Sequence, residues 1–227
     1  TDAKMRNTKE SILEAQFTPG AGNWCTWMFG RDLVNWNNNF TWAKWVTPSR
    51  DLISTFKQEG DEVRFKESVV YYDCGWSNYY PSDNYPFMYK CRSANSSIIK
   101  YRYADVLLLK AEALIMQDTP DLEGAADIID EVRDRAKLGA LSSSTRSNKD
   151  ALLNALLKER RLELAFEGQR WFDLVRLDKV EEVMNAVHAK DSGRKAQVYT
   201  YDKNSYRLPI PQSVIDANDK IHQNPGY

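Results

Sequence analysis

The most regular stretch of the sequence, residues 149–178, reads KDALLNALLKERRLELAFEGQRWFDLVRLD. Its apolar side chains recur three and four residues apart, which is the spacing of one face of an α-helix. They are Leu152, Leu153, Leu156, Leu157, Leu164, Phe172 and Val175. Gly168 interrupts the pattern, and glycine costs about 1 kcal/mol relative to alanine inside a helix. The stretch therefore predicts one long helix with a kink at Gly168, or two helices in series.

The acidic side chains of this stretch are also regularly spaced. Glu159, Glu163 and Glu167 lie four residues apart and therefore share one helix face. A glycoside hydrolase needs two carboxyl groups that face each other across a cleft, and carboxylates along one helix do not flank anything. Oppositely charged residues lie three positions apart in the pairs Arg160–Glu163, Glu167–Arg170, Arg170–Asp173 and Asp173–Arg176. We therefore predict a structural ion-pair network rather than a catalytic pair.

The remaining sequence predicts further helices and a few short strands. Residues 98–117 and 119–138 are typical of two helices joined by a short turn, with Thr119 as the cap of the second. Small residues are expected at the contact between them: Ala111, Ala113, Ala125 and Ala126. Residues 47–57 predict a helix, whereas residues 10–17 and 63–72 predict strands. A single helical hairpin cannot bury its own face, so other helices must pack against it.

Several of these segments resemble one known family. The segment ERRLELAFEGQRWFDLVR, residues 159–176, closely resembles the signature of the SusD/RagB family, the surface-exposed nutrient-binding lipoproteins of Bacteroidetes-type bacteria. Four more segments are similar to family segments in the same order: ESILEAQF (10–17), TPSRDLISTF (47–56), IIKYRYADVLLLKAEAL (98–114) and LPIPQSVIDANDKIHQNPGY (208–227). Family members are usually about twice this long. The resemblance thus implies that their N-terminal half, with a signal peptide and a lipid-bearing cysteine, lies upstream of this sequence.

The resemblance and the helix patterns predict a mainly α fold. We expect tetratricopeptide-like helical hairpins with a loop-rich, short-stranded irregular region, as in the SusD-like α-α superhelix. Residues 1–97 are expected to form a loop-rich aromatic region with short strands and helices. Residues 98–227 are expected to form the helical SusD-like scaffold with a C-terminal tail, in one continuous domain with the first part.

Composition and motifs argue against several functional classes. The net charge of −1 provides no electrostatic footprint for nucleic acid. No apolar run approaches the length of a membrane span. The sequence contains no nucleophile elbow, Gly-rich phosphate loop or Cys–His arrangement, so we predict no catalysis, no metal and no cofactor. Cys25, Cys74 and Cys91 are an odd number of cysteines, so at least one thiol stays free.

Tryptophan and tyrosine are concentrated in sequence that predicts loops. Five of the seven tryptophans lie between Gly20 and Trp45, among glycines and asparagines. Flat aromatic rings beside amide groups bind the apolar faces and hydroxyl rims of sugars, although such rings also fill small cores beneath loops. The candidate ligand-binding residues are Trp24, Trp27, Trp36, Trp76, Tyr79 and Tyr80, with Asn35 and Asn37 as hydroxyl partners. Trp42 and Trp45 are interpreted as mostly structural, and Trp171 as part of the core.

By resemblance, the chain is a non-catalytic glycan-binding protein on the outer face of the bacterial outer membrane. It would deliver oligosaccharides or polysaccharides to a TonB-dependent, SusC-like transporter, although some relatives bind peptides. Two other classes stay open. Opposed carboxylates beside Trp24 or Trp36 would favour a glycoside hydrolase on a helical scaffold. Exposed apolar grooves on the helices, with the loop tryptophans buried, would favour a helical-repeat module that binds peptides or proteins.

Overall fold

The computed structural model describes residues 7–17, 47–74, 80–90, 97–190 and 200–227. The strands in these ranges are β1 (Ser11–Ala15), β2 (Val69–Tyr72), β3 (Tyr85–Met88) and β4 (Ile98–Arg102). The helices are α1 (Arg50–Glu59), α2 (Glu62–Ser68), α3 (Tyr103–Met116), α4 (Leu122–Arg135), α5 (Ser143–Arg146), α6 (Lys149–Glu163), α7 (Arg170–Arg176), α8 (Val180–Lys190) and α9 (Gln212–Asp216), with a 3-10 helix at Lys203–Tyr206. The predicted mainly α fold is confirmed. The chain divides into two compact units, residues 1–170 and 171–227, and the boundary at residue 97 stays a prediction.

Two antiparallel ribbons belong to the first unit. Strand β1 pairs with β4, and β2 pairs with β3. The strand predicted at residues 10–17 is confirmed, but the helix predicted from residue 98 is wrong at its start. Residues 98–102 read IIKYR, whose β-branched and aromatic residues favour a strand once β1 is available as a partner. The helix begins only at Tyr103.

Capping residues fix where helices α1 and α2 begin and where α1 ends. The Ser49 hydroxyl accepts a hydrogen bond from the Leu52 amide at 3.1 Å and so caps the start of α1. Gly60 ends α1 with a φ of 68°, a left-handed conformation that glycine adopts without strain. Asp61 then caps α2 through the Arg64 amide. The strand predicted at residues 63–72 is therefore wrong over its first part, because this cap starts a helix.

The main core lies between α3, α4 and α6. Fully buried residues of the three helices pack together: Leu108, Ala111, Ile115, Ala125, Ala126, Ile129, Leu152 and Leu156. Three of the four predicted contact alanines are in this set, whereas Ala113 faces solvent. The helical hairpin is confirmed, but its second helix is capped by Asp121, whose carboxylate accepts from the Gly124 amide. Asp121 replaces the predicted Thr119 because the helix begins at Leu122.

The stretch 149–178 forms two helices in series, as predicted. Helix α6 is capped by the Asn148 side chain and is followed by a turn in which Phe166 and Gly168 have positive φ values of 65° and 82°. Beyond the turn, Phe172 is 66% exposed, so its predicted place on the apolar face is wrong. The next residue but one, Leu174, is buried instead.

The second unit is held together by side-chain amides. The Asn185 amide bonds both the N–H and the C=O of Tyr201 at 2.9 Å. In the same way, the Gln223 amide bonds the N–H and the C=O of Ile210 at 2.8 and 2.9 Å. Trp171, interpreted from sequence as core, is half-buried here with its ring centroid 6.4 Å from that of Tyr201. In the parts of the chain that the structure describes, no helix has the length and apolar character needed to cross a membrane.

Candidate functional site

Tyr80 is the one predicted ligand-binding residue that lies within the described ranges. The other seven fall outside them: Trp24, Trp27, Asn35, Trp36, Asn37, Trp76 and Tyr79. Cys25 and Cys91 also lie outside, whereas Cys74 is a buried free thiol. The structure therefore describes one residue of the predicted aromatic site, Tyr80, and its surroundings.

Tyr80 is half-buried, and contacts with Pro48, Tyr85 and Arg50 hold it in place. Its hydroxyl donates a hydrogen bond to the Pro48 carbonyl oxygen at 2.8 Å. Its ring meets that of Tyr85 edge-on, with centroids 5.7 Å apart and an interplanar angle of 80°. The Arg50 guanidinium carbon lies 4.8 Å from the ring centroid, over one face.

A small aromatic core beneath Tyr80 makes this position rigid. Tyr85 and Phe87 of β3 are buried with their ring centroids 5.0 Å apart, and Cys74 is buried beside them. The Tyr85 hydroxyl lies 2.5 Å from the Thr47 hydroxyl, so it keeps a polar partner inside the cluster. Burial raises the pKa of Tyr85, against the smaller effect of that hydrogen bond. This aromatic cluster combines the two interpretations of the loop aromatics: Tyr85 and Phe87 fill a core, and Tyr80 forms its rim.

Arg50 is a candidate functional residue that sequence reasoning missed. It is the first residue of α1 and directly follows the cap Ser49. Its partner Tyr80 lies 30 positions later in the chain, so no local spacing in the sequence links the two. A guanidinium over an aromatic ring offers hydrogen-bond donors beside an apolar surface, which is the combination that a hydroxyl-rich ligand requires.

The other polar concentration lies at the end of α6, which reads KERRLE at residues 158–163. Five of these six side chains pair with charged residues of other elements. The pairs are Lys158–Glu59 at 2.5 Å, Glu159–Arg64 at 2.5 Å, Arg160–Asp105 at 2.9 Å, Arg161–Asp51 at 2.6 Å and Glu163–Arg102 at 2.6 Å. We call this set the α6 hub. It connects α6 to α1, α2, α3 and β4.

Arg102, the last residue of β4, binds the carboxylates of Glu10, Glu163 and Glu167. Its guanidinium binds both carboxylate oxygens of Glu167, at 2.7 and 2.9 Å, in the bidentate geometry that arginine favours. The same group donates to the Glu163 carboxylate at 2.6 Å and to the Glu163 main-chain oxygen at 2.8 Å. It also reaches Glu10 at 2.9 Å. Arg102 therefore ties the β1–β4 ribbon to the turn that follows α6.

Glu159, Glu163 and Glu167 differ in how they titrate. Burial disfavours the charge of Glu163, but Arg102 and Arg135 outweigh it and hold the pKa of Glu163 at about 2. Burial also opposes ionisation of Glu167, but Lys90 and Arg102 outweigh this effect, so the pKa of Glu167 is lowered overall. Burial prevails at Glu159, so the pKa of Glu159 is raised although Arg64 and Arg133 act against the rise.

These carboxylates are structural. Glu159 and Glu163 are almost fully buried and share Arg64, which lies 2.5 and 3.1 Å from them. The predicted ion-pair network is thus confirmed, although most partners come from other elements; Asp173–Arg176, at 2.7 Å, is a predicted intrahelical pair that is present. A hydrolytic pair must face a cleft wide enough for a sugar. Within the described ranges, no three His, Cys, Asp or Glu residues are grouped so that they could hold a metal ion.

Comparison with known proteins identifies the fold and the family. A SusD-like protein of Formosa agariphila is 41% identical over 139 residues, which are 59% of this chain and 25% of that protein. Surface glycan-binding protein A of Bacteroides thetaiotaomicron has the same fold, with a TM-score of 0.72 at 20% identity over 99% of this chain and 53% of its own. A laminarin binding SusD-like protein gives a TM-score of 0.64 at 24% identity over 99% and 51%.

The chain spans about half the length of these two solved proteins. The model of the SusD family matches residues 88–227, which include α3, α4, the α6 hub helix and the tail. The chain belongs to the SusD family.

Proposed function

We propose that the protein binds glycans at the bacterial cell surface without chemically changing them. Membership of the SusD family supports this role. Two proteins of the same fold are named as a surface glycan-binding protein and as a laminarin binding protein. Captured oligosaccharides would pass to a TonB-dependent, SusC-like transporter in the outer membrane, where a lipid anchor would hold the binding protein.

The geometry of Tyr80 is the observation that carries the proposal. The half-buried ring is fixed by a hydrogen bond, an edge-on tyrosine and a stacked arginine, so it loses little freedom when a ligand binds. It directly follows residues 75–79, which include Trp76 and Tyr79. A sugar ring would use the aromatic surface through its C–H face, and its hydroxyls would accept from Arg50.

The remaining ligand contacts are proposed from the sequence. Trp24, Trp27 and Trp36 would supply further aromatic surface, with Asn35 and Asn37 as hydroxyl partners. Nothing in the described ranges favours hydrolysis, because the acidic face of α6 is bound to arginines that connect the scaffold. We therefore assign Glu159, Glu163 and Glu167 to stability, and ligand binding to the aromatic region.

The test is calorimetric titration of the chain with a panel of soluble polysaccharides, oligosaccharides and peptides. We expect heat of binding with at least one glycan and no release of reducing ends. Tyr80→Ala should weaken that binding about tenfold, which corresponds to about 1.4 kcal/mol. Tyr103→Ala is the matched control, since Tyr103 is a half-exposed tyrosine on α3 outside the aromatic cluster.

The other outcomes are equally informative. Release of reducing ends from a bound glycan would revive the hydrolase hypothesis and refute a purely capturing role. Heat with peptides alone would move the ligand class to peptides. Equal weakening by Tyr80→Ala and Tyr103→Ala would refute the placement of the site. Each variant should first show an unchanged circular dichroism spectrum, so that lost binding is not confused with lost fold.

A further inference from the structure

Strand β3 connects the aromatic cluster with the end of helix α6. Side chains alternate along a strand, and Tyr85, Phe87 and the adjoining Tyr89 all pack in the aromatic cluster. The strand pairing extends as far as Tyr89, whose N–H donates to the Ser68 carbonyl oxygen at 2.8 Å. The next residue, Lys90, contacts the end of α6 instead. The last residues of this strand segment therefore bind two different parts of the molecule.

The ammonium group of Lys90 has two acceptors at the end of α6. It lies 2.5 Å from a carboxylate oxygen of Glu167 and donates to the Glu163 main-chain oxygen at 2.7 Å. The carbonyl groups of a last helical turn carry partial negative charge, so a cation is favoured there. The Lys90 side chain is 28% exposed and that of Glu167 is 13% exposed, so salt screens this contact less than a fully exposed pair.

Arg102 holds the same two acceptors in place. Its guanidinium binds both carboxylate oxygens of Glu167, at 2.7 and 2.9 Å, and the Glu163 main-chain oxygen at 2.8 Å. Helix α6 itself is packed in the main core. Lys90 therefore adds a connection to β3 rather than the structure of the turn. Loss of its ammonium group should release the end of β3 and leave the α6 hub assembled.

The β2–β3 ribbon needs anchors of this kind. Two paired strands alone are marginally stable in water and require packing against other elements. Val69 pairs with Met88 at one end of the ribbon, and Tyr72 pairs with Tyr85 at the other. Lys90 lies beyond the first end, five residues from Tyr85, which corresponds to about 16 Å of extended chain. A rotation of the ribbon about its anchored end would displace the Tyr85 end most.

We propose that Lys90 is a positioning residue of the ligand site, because it fixes the direction of β3 and thereby the place of the Tyr85 ring on which Tyr80 packs. Given the proposed function, on which this role rests, Lys90 acts through the strand and makes no contact with the glycan. The Pro48 carbonyl oxygen holds the Tyr80 hydroxyl from the side of α1. A displaced Tyr85 would therefore no longer meet Tyr80 edge-on at a centroid distance of 5.7 Å.

The experiment compares two lysines of similar exposure. Lys90 and Lys179 are 28% and 30% exposed, and each forms an ion pair, that of Lys179 being with Glu182 at 2.6 Å. Lys179 directly precedes α8, outside the aromatic cluster. Lys90→Met and Lys179→Met keep the apolar stem of the side chain and remove the ammonium group. Lys90→Arg restores a cation with N–H donors, and Lys90→Gln is the milder uncharged variant if Lys90→Met does not fold.

The first measurement follows the Tyr80 ring by fluorine nuclear magnetic resonance in protein that contains meta-fluorotyrosine. The Tyr80 signal is assigned through Tyr80→Phe, and no ligand is present. Lys90→Met should move this signal by more than its line width, whereas Lys179→Met should leave it in place. Lys90→Arg should return the signal to within one line width of its original position, because the cation is restored.

Three results of this measurement would overturn the proposal. An unmoved Tyr80 signal in Lys90→Met, whatever its melting temperature, would make Lys90 a stabilising residue only. Equal displacement by Lys90→Met and Lys179→Met would show that the effect is not specific to β3. A signal that stays displaced in Lys90→Arg would show that the charge of Lys90 does not hold the strand.

The second measurement is calorimetric titration with laminarin, because one protein of the same fold is named as laminarin binding. When the unchanged protein binds laminarin, Lys90→Met should raise its Kd about fivefold, and Lys179→Met should leave it unchanged. A displaced Tyr80 signal together with an unchanged Kd would overturn the role of Lys90 in the ligand site. Absence of heat from the unchanged protein would count against laminarin as the ligand, and the fluorine signal would then decide the role of Lys90.

Discussion

Glu163→Gln tests the structural role of the α6 hub most directly. Glu163 is 4% exposed and its carboxylate contacts three arginines, with Arg102 at 2.6 Å, Arg64 at 3.1 Å and Arg135 as the third. Glutamine keeps the shape of the side chain and part of its hydrogen bonding but removes the negative charge. Three buried or half-buried guanidinium groups then lose a shared counter-ion, and breaking a buried ion pair typically costs about 3–5 kcal/mol.

The pKa of Glu163 gives an independent magnitude. A pKa of about 2 in the folded protein, against 4.5 for the free group, corresponds to about 3 kcal/mol, at about 1.4 kcal/mol per pH unit. The folded-state pKa is depressed, so this stabilisation is complete above pH 4.5 and is lost as the pH falls through about 2. Glu163→Gln should therefore lower the free energy of unfolding by about 3 kcal/mol at pH 7 and by only about 1 kcal/mol at pH 3.

The assay is urea-induced unfolding of both proteins at the two pH values, followed by circular dichroism. Glu62→Gln is the matched control, because Glu62 pairs with Lys66 at 3.0 Å on the exposed surface of α2. Such exposed pairs contribute about 0–1 kcal/mol, so the control should behave like the unchanged protein at both pH values. An equal loss from Glu163→Gln at pH 7 and pH 3 would refute the electrostatic explanation, and a loss no larger than that of the control would refute the hub.

Two further substitutions test backbone features of the fold. Gly168→Ala should lower the free energy of unfolding in urea by about 1 kcal/mol, because the φ of Gly168 is +82°. Steric overlap is not the cause, since no atom lies within 4 Å of the added carbon. Gly139 is equally open but lies outside the positive-φ region, so Gly139→Ala should leave the free energy of unfolding unchanged. Equal costs at both glycines would refute the conformational explanation. Gln223→Ala removes both hydrogen bonds to Ile210 and should speed amide exchange at Ile210 severalfold, whereas Gln212→Ala, which removes an exposed contact with Asp216, should leave it unchanged.

The segment KERRLE, residues 158–163, has a structural role in this chain. Within KERRLE, Leu162 is buried against Leu52 and Phe56 of α1. The charged residues of the segment form ion pairs with other elements. Substitution at such a position should affect stability before it affects ligand binding. Under the proposed function, ligand preference would vary in the aromatic region while the scaffold stays the same, as expected for binding residues carried by loops on a rigid frame.

Periodicity in the sequence determined the helices and the break between two of them. The three- and four-residue spacing of Leu152 and Leu156 placed α6 in the core, and Gly168 marked the turn before α7, because these features depend only on neighbours along the chain. The clustering of acidic residues on α6 also indicated ion pairs correctly. The sequence named Tyr80 from its loop-like surroundings, but it did not indicate that Tyr85 and Phe87 form a buried core beside it.

Tertiary structure alone decided the partners. The strand at 98–102 exists because β1, more than 80 residues earlier, pairs with it, and the local sequence also permitted a helix. Glu163 pairs with Arg102 and Arg64 rather than with Arg160, three residues away. Arg50 likewise lies over the distant Tyr80. Both contacts join distant segments, so they depend on how the elements pack. Spacing along a chain reports which face a side chain lies on, whereas packing determines what stands opposite that face.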